Sequence, residues 1–415
     1  MSENVSETYP KDALAWYNKG ITLGRLGKTE EAIACYDKAL EVNPRYDKAW
    51  NNKGIALGRL GKTEEAIACY DKALEVNPRY DKAWNNKGIA LGRLGKTEEE
   101  VACYEKALEV NPGDGQAWYN KGVALGQLGK TEEALACYDK ALEVNPRDGQ
   151  AWYNKGVALG QLGKTEEAIA CYDKALEVNP RDEQAWYNKG ITLRQLEKTE
   201  EELACYDKAL EVNPGLAEAW YNKGVTLEQL GKTEEAIACY DKALEVNPGL
   251  AEAWYNRGVS LRQLGKTEEA LACYDKALEI NPKYDKAWYN KGVALGQLGK
   301  TEEAIACYDK ALEINPRDGQ AWNNKGTALV RLGKMEEALA CYDKALEVNP
   351  GYDRAWYNKA CTYSLKGDKE NALKNLSKVI ELNAAYIEIA KKDEDFKSLW
   401  EDEDFKKIVA LLPAT

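Results

Sequence analysis

Eleven asparagines stand 34 residues apart along a chain of 415: Asn18, Asn52, Asn86, Asn120, Asn154, Asn188, Asn222, Asn256, Asn290, Asn324 and Asn358. A carboxamide carries both an acceptor and donors. A file of them can pair with both groups of an extended peptide backbone without reading its side chains. Tyr119, Tyr153, Tyr187 and Tyr221 each precede one of these asparagines and add an apolar ring with a polar tip. Cations gather toward the start, at Arg25, Lys48, Arg59, Lys82 and Arg93. Glu218, Glu228 and Glu252, flanked by Arg194 and Arg262, occupy the middle, and Lys286, Arg331 and Arg354 restore the positive sign. A segment with an acidic stretch at one end fits the cationic start. The plainer reading is that each asparagine bonds a neighbouring helix or water and that the charges drift on a solvated surface. Repetition by copying does not choose between the two. One hydrogen bond contributes a net of about 0.5–1.5 kcal/mol, whereas micromolar binding needs about 8 kcal/mol. Several rungs must act together, so recognition is expected to be weak, extended and multivalent.

Other chemistry is missing. The chain has no histidine, which removes the commonest general base and most zinc sites. No Gly-rich phosphate loop follows a strand pattern. The Glu-Glu pairs at helix starts read as partners of the helix dipole rather than as acid/base pairs. No enzyme, cofactor or metal site is expected. The net charge of -12 argues against a nucleic-acid or membrane-surface binder, since both need a broad basic face. No stretch approaches about 18 consecutive apolar residues, and the first residues lack the pattern of a secretory signal. The expected location is the cytoplasm. Ten of the eleven cysteines share the same spacing, from Cys35 to Cys341, with Cys361 out of phase. Stacked helices lie roughly 8–10 Å apart, too far for a disulfide, which needs Cα atoms within about 7 Å. These cysteines are expected to be small buried hydrophobes.

The asparagines must be positioned by a repeated element. Residues 149–182 read as two helices. The first is expected from Gln150 to Leu162, ended by Gly163-Lys164. Thr165 is the expected N-cap of the second, with Glu166 and Glu167 in its first turn. Asn179-Pro180 ends it. At about 100° per residue, Trp152 and Gly156 share the packing side, and Asn154 falls on the opposite side. A single hairpin cannot cover its own apolar face, so neighbours must stack. The fold expected is all-α, an α-solenoid.

Trp16, Gly20, Ala32, Tyr36, Ala39 and Pro44 occupy positions 4, 8, 20, 24, 27 and 32 of a repeat beginning at Ala13. This pattern resembles the tetratricopeptide repeat (TPR) closely and recurs in phase. The resemblance implies a right-handed superhelix whose first helices line a concave groove, and a protein-protein interaction scaffold. It implies a leader at 1–12, eleven repeats over 13–386, and capping helices over 387–415. An asparagine ladder at this position lines the groove of one other long array of the family, and this chain is similar to it in its repeats and at that position only. There are departures. Position 7 is basic (Lys19, Lys53, Arg257), and Glu100 and Glu202 replace the small residue at position 20. Their carboxylates are expected to reach outward or to loosen their hairpins. In the tail, Phe396, Leu399, Trp400, Phe405, Ile408 and Val409 are expected to cover the last apolar face. The family's carboxylate clamp for chaperone tails is matched only at Asn52 and Lys82, and is not expected. The alternatives are a structural spacer, monomeric or weakly self-associating end to end, and an RNA-binding helical repeat. The strict spacing and acidic balance oppose the latter.

Overall fold

The computed structural model describes residues 12–410, which form two compact units, one ending at Asn213 and the other beginning at Pro214. Residues 1–11 of the expected leader and 411–415 of the expected cap lie outside the described residues.

The first unit holds six helical hairpins. They are α1 (Ala13–Arg25) with α2 (Thr29–Val42), α3 (Asp47–Arg59) with α4 (Thr63–Val76), α5 (Asp81–Arg93) with α6 (Thr97–Val110), α7 (Gly115–Gln127) with α8 (Thr131–Val144), α9 (Gly149–Gln161) with α10 (Thr165–Val178), and α11 (Glu183–Arg194) with α12 (Thr199–Val212). The second unit holds five more. They are α13 (Ala217–Gln229) with α14 (Thr233–Val246), α15 (Ala251–Gln263) with α16 (Thr267–Ile280), α17 (Asp285–Gln297) with α18 (Thr301–Ile314), α19 (Gly319–Arg331) with α20 (Met335–Val348), and α21 (Asp353–Leu365) with α22 (Lys369–Leu382). Two short helices follow, α23 (Tyr386–Ala390) and α24 (Glu403–Val409), with a 3-10 turn at Glu394–Leu399 between them. The fold is an all-α solenoid of paired helices.

The fifth hairpin shows why the sequence folds this way. Asp148 caps α9 by accepting from the backbone N–H groups of Gln150 and Ala151, both at 3.1 Å. The helix therefore starts one residue earlier than expected. Leu159, Ala168, Cys171 and Tyr172 form its buried centre, against Trp152, Tyr153 and Val157. The turn depends on Gly163 at φ 72°, a left-handed conformation that only glycine adopts cheaply. At the sixth hairpin this residue is Glu197, at φ 56°. Thr165 is not the N-cap. Lys164 holds that place without a side-chain bond, and Thr165 is the first helical residue. Its hydroxyl donates back to the Gly163 carbonyl at 3.3 Å.

Successive hairpins are joined by three recurrent contacts. Ala175, Leu176 and Ala185 pack between Trp152 and Trp186. The Trp186 indole N–H donates to the Pro180 carbonyl at 3.0 Å, and the tryptophans from Trp50 to Trp356 repeat that strap. The basic residue at position 7 reaches a carboxylate of the preceding hairpin, as in Lys155 with Asp139 at 2.6 Å. The same ammonium lies 5.3 Å from the centre of the Trp152 ring. The family's usual apolar residue is thus replaced by a stitch between hairpins. In the last cluster, Phe396, Leu399, Phe405 and Val409 are buried with Leu376 and Val379, while Trp400 and Ile408 are half-buried against them. All eleven cysteines are buried and free. Burial pushes the Cys171 thiol up to about 11, with Lys155 opposing, so it is inert as a nucleophile.

Candidate functional site

The asparagines lie on the first helix of each hairpin, and most of them already have a partner within the array. Nine of them reach back 35 residues to position 5 of the previous hairpin. Asn154 Nδ2 donates to the Tyr119 hydroxyl at 3.0 Å, and Asn188 Nδ2 to Tyr153 at 2.8 Å. Asn52 uses Tyr17 at 3.1 Å. In the second unit Asn256, Asn290 and Asn324 use Tyr221, Tyr255 and Tyr289 at 3.1, 3.1 and 3.0 Å. Where position 5 is itself asparagine, its Oδ1 accepts instead. Asn86 meets Asn51 at 2.9 Å, Asn120 meets Asn85 at 3.2 Å, and Asn358 meets Asn323 at 2.9 Å. Asn18 is exposed in the first hairpin, and Asn222 donates to the Glu218 carbonyl at 3.0 Å. The Tyr-Asn pair is therefore an inter-hairpin zipper, in agreement with the plainer expectation. It engages the donor end of the amide. The Oδ1 acceptors of Asn52, Asn120 and Asn324 also have internal donors, whereas those of Asn154 and Asn188 lie outside the zipper.

The tyrosines are half-buried along the same edge. Tyr119, Tyr153, Tyr187 and Tyr221 lean on Tyr138, Tyr172, Tyr206 and Tyr240, with ring centres 6.3, 6.1, 6.1 and 6.1 Å apart. Burial and the charge of Asp182 raise the Tyr153 phenol, and the bond from Asn188 opposes them. The Tyr119 phenol is raised in the same way, by burial and the charge of Asp148 against the bond from Asn154.

Between neighbouring hairpins the structure forms a recess that recurs with the repeat. The first is lined by Arg25, Ala32, Tyr36, Asn52 and Arg59, together with Ile21, Gly24 and Ile55, and encloses ≈ 400 Å³. The next is built from Arg59, Ala66, Tyr70, Asn86 and Arg93, around ≈ 200 Å³. Between the fourth and fifth hairpins, Gln127, Tyr138, Asn154 and Gln161 surround ≈ 260 Å³. In the second unit, Tyr308, Asn324, Thr327 and Arg331 surround ≈ 200 Å³. Of the early cations, Arg25, Arg59 and Arg93 converge on these recesses. Lys48 and Lys82 are exposed at helix starts and line neither of the first two.

Glu100 and Glu202 do not reach outward. Both turn inward and are buried, at 9% and 1% exposure. The Tyr104 hydroxyl donates to Glu100 Oε1 at 2.9 Å. Arg194 Nε donates to Glu202 Oε1 at 2.7 Å, and Arg194 Nη2 to the Tyr206 hydroxyl at 2.9 Å. Room for Glu100 comes from Gly92, since a side chain there would meet its carboxyl at 2.6 Å. Neither hairpin loses its helices.

At position 12, Gly24, Gly58 and Gly126 line the recesses without filling them. In the second unit Glu228 and Arg262 replace glycine there, and Ser260 donates to Glu228. One other cluster brings ligand atoms together: Cys361, Asp393 and Asp395, within 4.8 Å of one another. Tyr357 donates to Asp393 Oδ2 at 2.6 Å. Burial and the two carboxylates push the Cys361 thiol far up.

Tetratricopeptide repeat profiles match residues 13–46, 47–80, 115–148, 149–182, 217–250, 251–284, 285–318 and 319–352, and a second profile of that name matches 69–102, 171–204 and 341–374. The chain belongs to the tetratricopeptide repeat family. A protein prenyltransferase alpha subunit repeat also matches 97–128. A search of curated protein sequences gave no match. Among solved structures, the chain is similar to YrrB, described as a TPR protein with an unusual peptide-binding site. The identity is 31% over 46% of this chain and 98% of that one, with a TM-score of 0.41. It is similar to MamA at 25% identity, over 40% and 92% of the two chains, with a TM-score of 0.39. Yeast Tom70 is 18% identical over 96% and 99%, with a TM-score of 0.39. As a TPR array, the protein is an interaction scaffold. No helix among the described residues is long and apolar enough to cross a membrane.

Proposed function

We propose that this scaffold binds an extended peptide or protein segment along the face built by its first helices. The recurring recess carries this reading. A purely structural zipper needs the Tyr-Asn bonds but has no need of polar hollows opening between hairpins, at ≈ 400, ≈ 200 and ≈ 260 Å³ in the first unit. Ligand side chains enter the hollows, and the Oδ1 atoms of Asn154 and Asn188 accept from ligand backbone N–H groups. The partner carries an acidic stretch toward the Arg25–Arg93 end. The array itself acts as a monomer, in the cytoplasm, where its eleven free thiols stay reduced.

The test is a peptide array probed with the native chain and with Asn120, Asn154, Asn188 and Asn222 all changed to alanine. Circular dichroism and melting serve as folding controls. The asparagine file is supported if bound peptides disappear from a variant that stays helical. Equal binding by both proteins rejects it. Light scattering over a range of concentrations tests the self-associating form of the spacer alternative: growth with concentration favours it, and a constant mass removes that form.

A further inference from the structure

At two hairpins the chain sets a carboxylate of its own against the buried tyrosine of the second helix. Glu100 and Glu202 spring from the position occupied elsewhere by alanine, and their carboxylates lie buried beside Tyr104 and Tyr206. The Glu100 carboxyl sits over Gly92. At Glu202 an arginine completes the arrangement, bonding both the carboxylate and the tyrosine hydroxyl. A carboxylate, a tyrosine and a guanidinium therefore fit together in one hollow of this array.

The first two junctions hold a tyrosine and a guanidinium without the carboxylate, the guanidinium there coming from the next hairpin. Ala32 and Ala66 replace glutamate, and Tyr36 and Tyr70 form the buried wall, each 4% exposed. The Tyr36 hydroxyl lies 4.0 Å from where a side chain on Gly24 would begin, which is the counterpart of the place Glu100 takes over Gly92. Arg59 closes the first hollow and Arg93 the second, with Asn52 and Asn86 beside them. The positive charges of Arg59 and Arg93 are felt at Tyr36 and Tyr70 respectively. Arg93 is held in place by a 3.1 Å bond to the Gly58 carbonyl.

We propose that these two hollows are carboxylate sites for aspartate or glutamate side chains of an extended partner, with Glu100 and Glu202 acting as built-in occupants of the equivalent places. The inference rests on the segment-binding reading above and names the side chains that the first unit selects. Neighbouring helices stack roughly 8–10 Å apart, and an extended strand rises about 3.3 Å per residue. Two acidic residues three positions apart therefore match the two hollows. The residues involved differ from those of the family's chaperone-tail clamp.

The experiment uses the full chain and three labelled Ser/Gly peptides, followed by fluorescence anisotropy. One carries two glutamates three residues apart, one carries them adjacent, and one carries glutamines in the first spacing. The native chain is expected to prefer the first. The variant Ala32→Glu/Ala66→Glu supplies its own carboxylates, as the third and sixth hairpins already do, and is expected to lose at least about tenfold in affinity. Because that variant alters buried positions, Arg59→Gln/Arg93→Gln changes only exposed side chains and is expected to weaken binding similarly. Unchanged affinity in either folded variant overturns the carboxylate sites. So does equal binding of the glutamate and glutamine peptides, although that result leaves segment binding intact. If neither peptide binds, the sites are rejected, and the peptide array decides the broader reading separately.

Discussion

Two glycines four residues apart in α9 should respond to alanine with opposite sign. A Cβ on Gly156 would stand 2.8 Å from Tyr172 Cε1 and 3.2 Å from the Ala168 carbonyl oxygen. The ring is 3% exposed and cannot swing into solvent, and the carbonyl belongs to the facing helix. Overpacking of this kind costs about 1–3 kcal/mol. Alanine returns up to about 1 kcal/mol of helix propensity, so the net expectation is a loss of about 0–2 kcal/mol. A Cβ on Gly160 meets nothing within 4 Å. Only the propensity term remains there, and Gly160→Ala should stabilise by up to about 1 kcal/mol. Each hairpin leans mainly on its neighbours, so a whole-chain midpoint averages the effect over the array. Native-state hydrogen exchange of the α9 and α10 amides reads it locally. Protection should fall in Gly156→Ala and rise in Gly160→Ala. Greater protection in Gly156→Ala than in the native chain would refute the close helix approach on which the hairpin geometry depends.

Three further outcomes are expected. Arg194→Gln leaves the Glu202 carboxylate, 2% exposed, without its guanidinium, and should cost toward the lower end of about 3–5 kcal/mol, because the arginine is itself 30% exposed. Adding Glu202→Ala should restore most of the urea midpoint, and failure to do so would deny the pairing. Burial raises the Glu100 carboxyl above the ordinary glutamate value, against the bond from Tyr104. Its contribution to stability is complete below the unfolded value of about 4.3 and is lost as pH rises through the folded one. Glu100→Gln should therefore stabilise the chain near neutrality and make little difference in acid, as thermal melts across pH will show. Finally, a double-mutant cycle of Asn188→Ala and Tyr153→Phe should give a coupling of about 0.5–1.5 kcal/mol, and zero coupling would mean that the 2.8 Å bond contributes nothing.

The hairpins were legible because their determinants are local or strictly periodic. Trp152, Gly156, Ala168, Tyr172 and Pro180 mark faces and ends that one turn of helix decides. The start of α10 was missed by one residue, since Thr165 bonds backward to Gly163 rather than forward into the helix. The partner of each asparagine was hidden for a different reason. Helical periodicity places Asn188 on a face but does not give the offset between adjacent first helices, and that offset brings it to Tyr153. Glu100 looked too large for a close helix approach. The missing signal was Gly92, eight residues earlier, whose absent side chain provides the space. Arg194 plays the matching role for Glu202. The position-7 stitch was readable in principle, because Asp139 and Lys155 recur 16 residues apart from hairpin to hairpin.

The zipper also bears on how such a chain can change its length. Each rung within a unit joins position 6 of one hairpin to position 5 of the one before, with a tyrosine hydroxyl or an asparagine Oδ1 as acceptor. Excising residues 149–182 would bring Asn188 to Tyr119 and Lys189 to Asp139, remaking bonds of the same kind. Unequal recombination in whole 34-residue steps therefore leaves each surviving junction with familiar neighbours, whereas a step of any other size breaks the register at once. Growth and shrinkage of this protein are quantised by one amide and one hydroxyl.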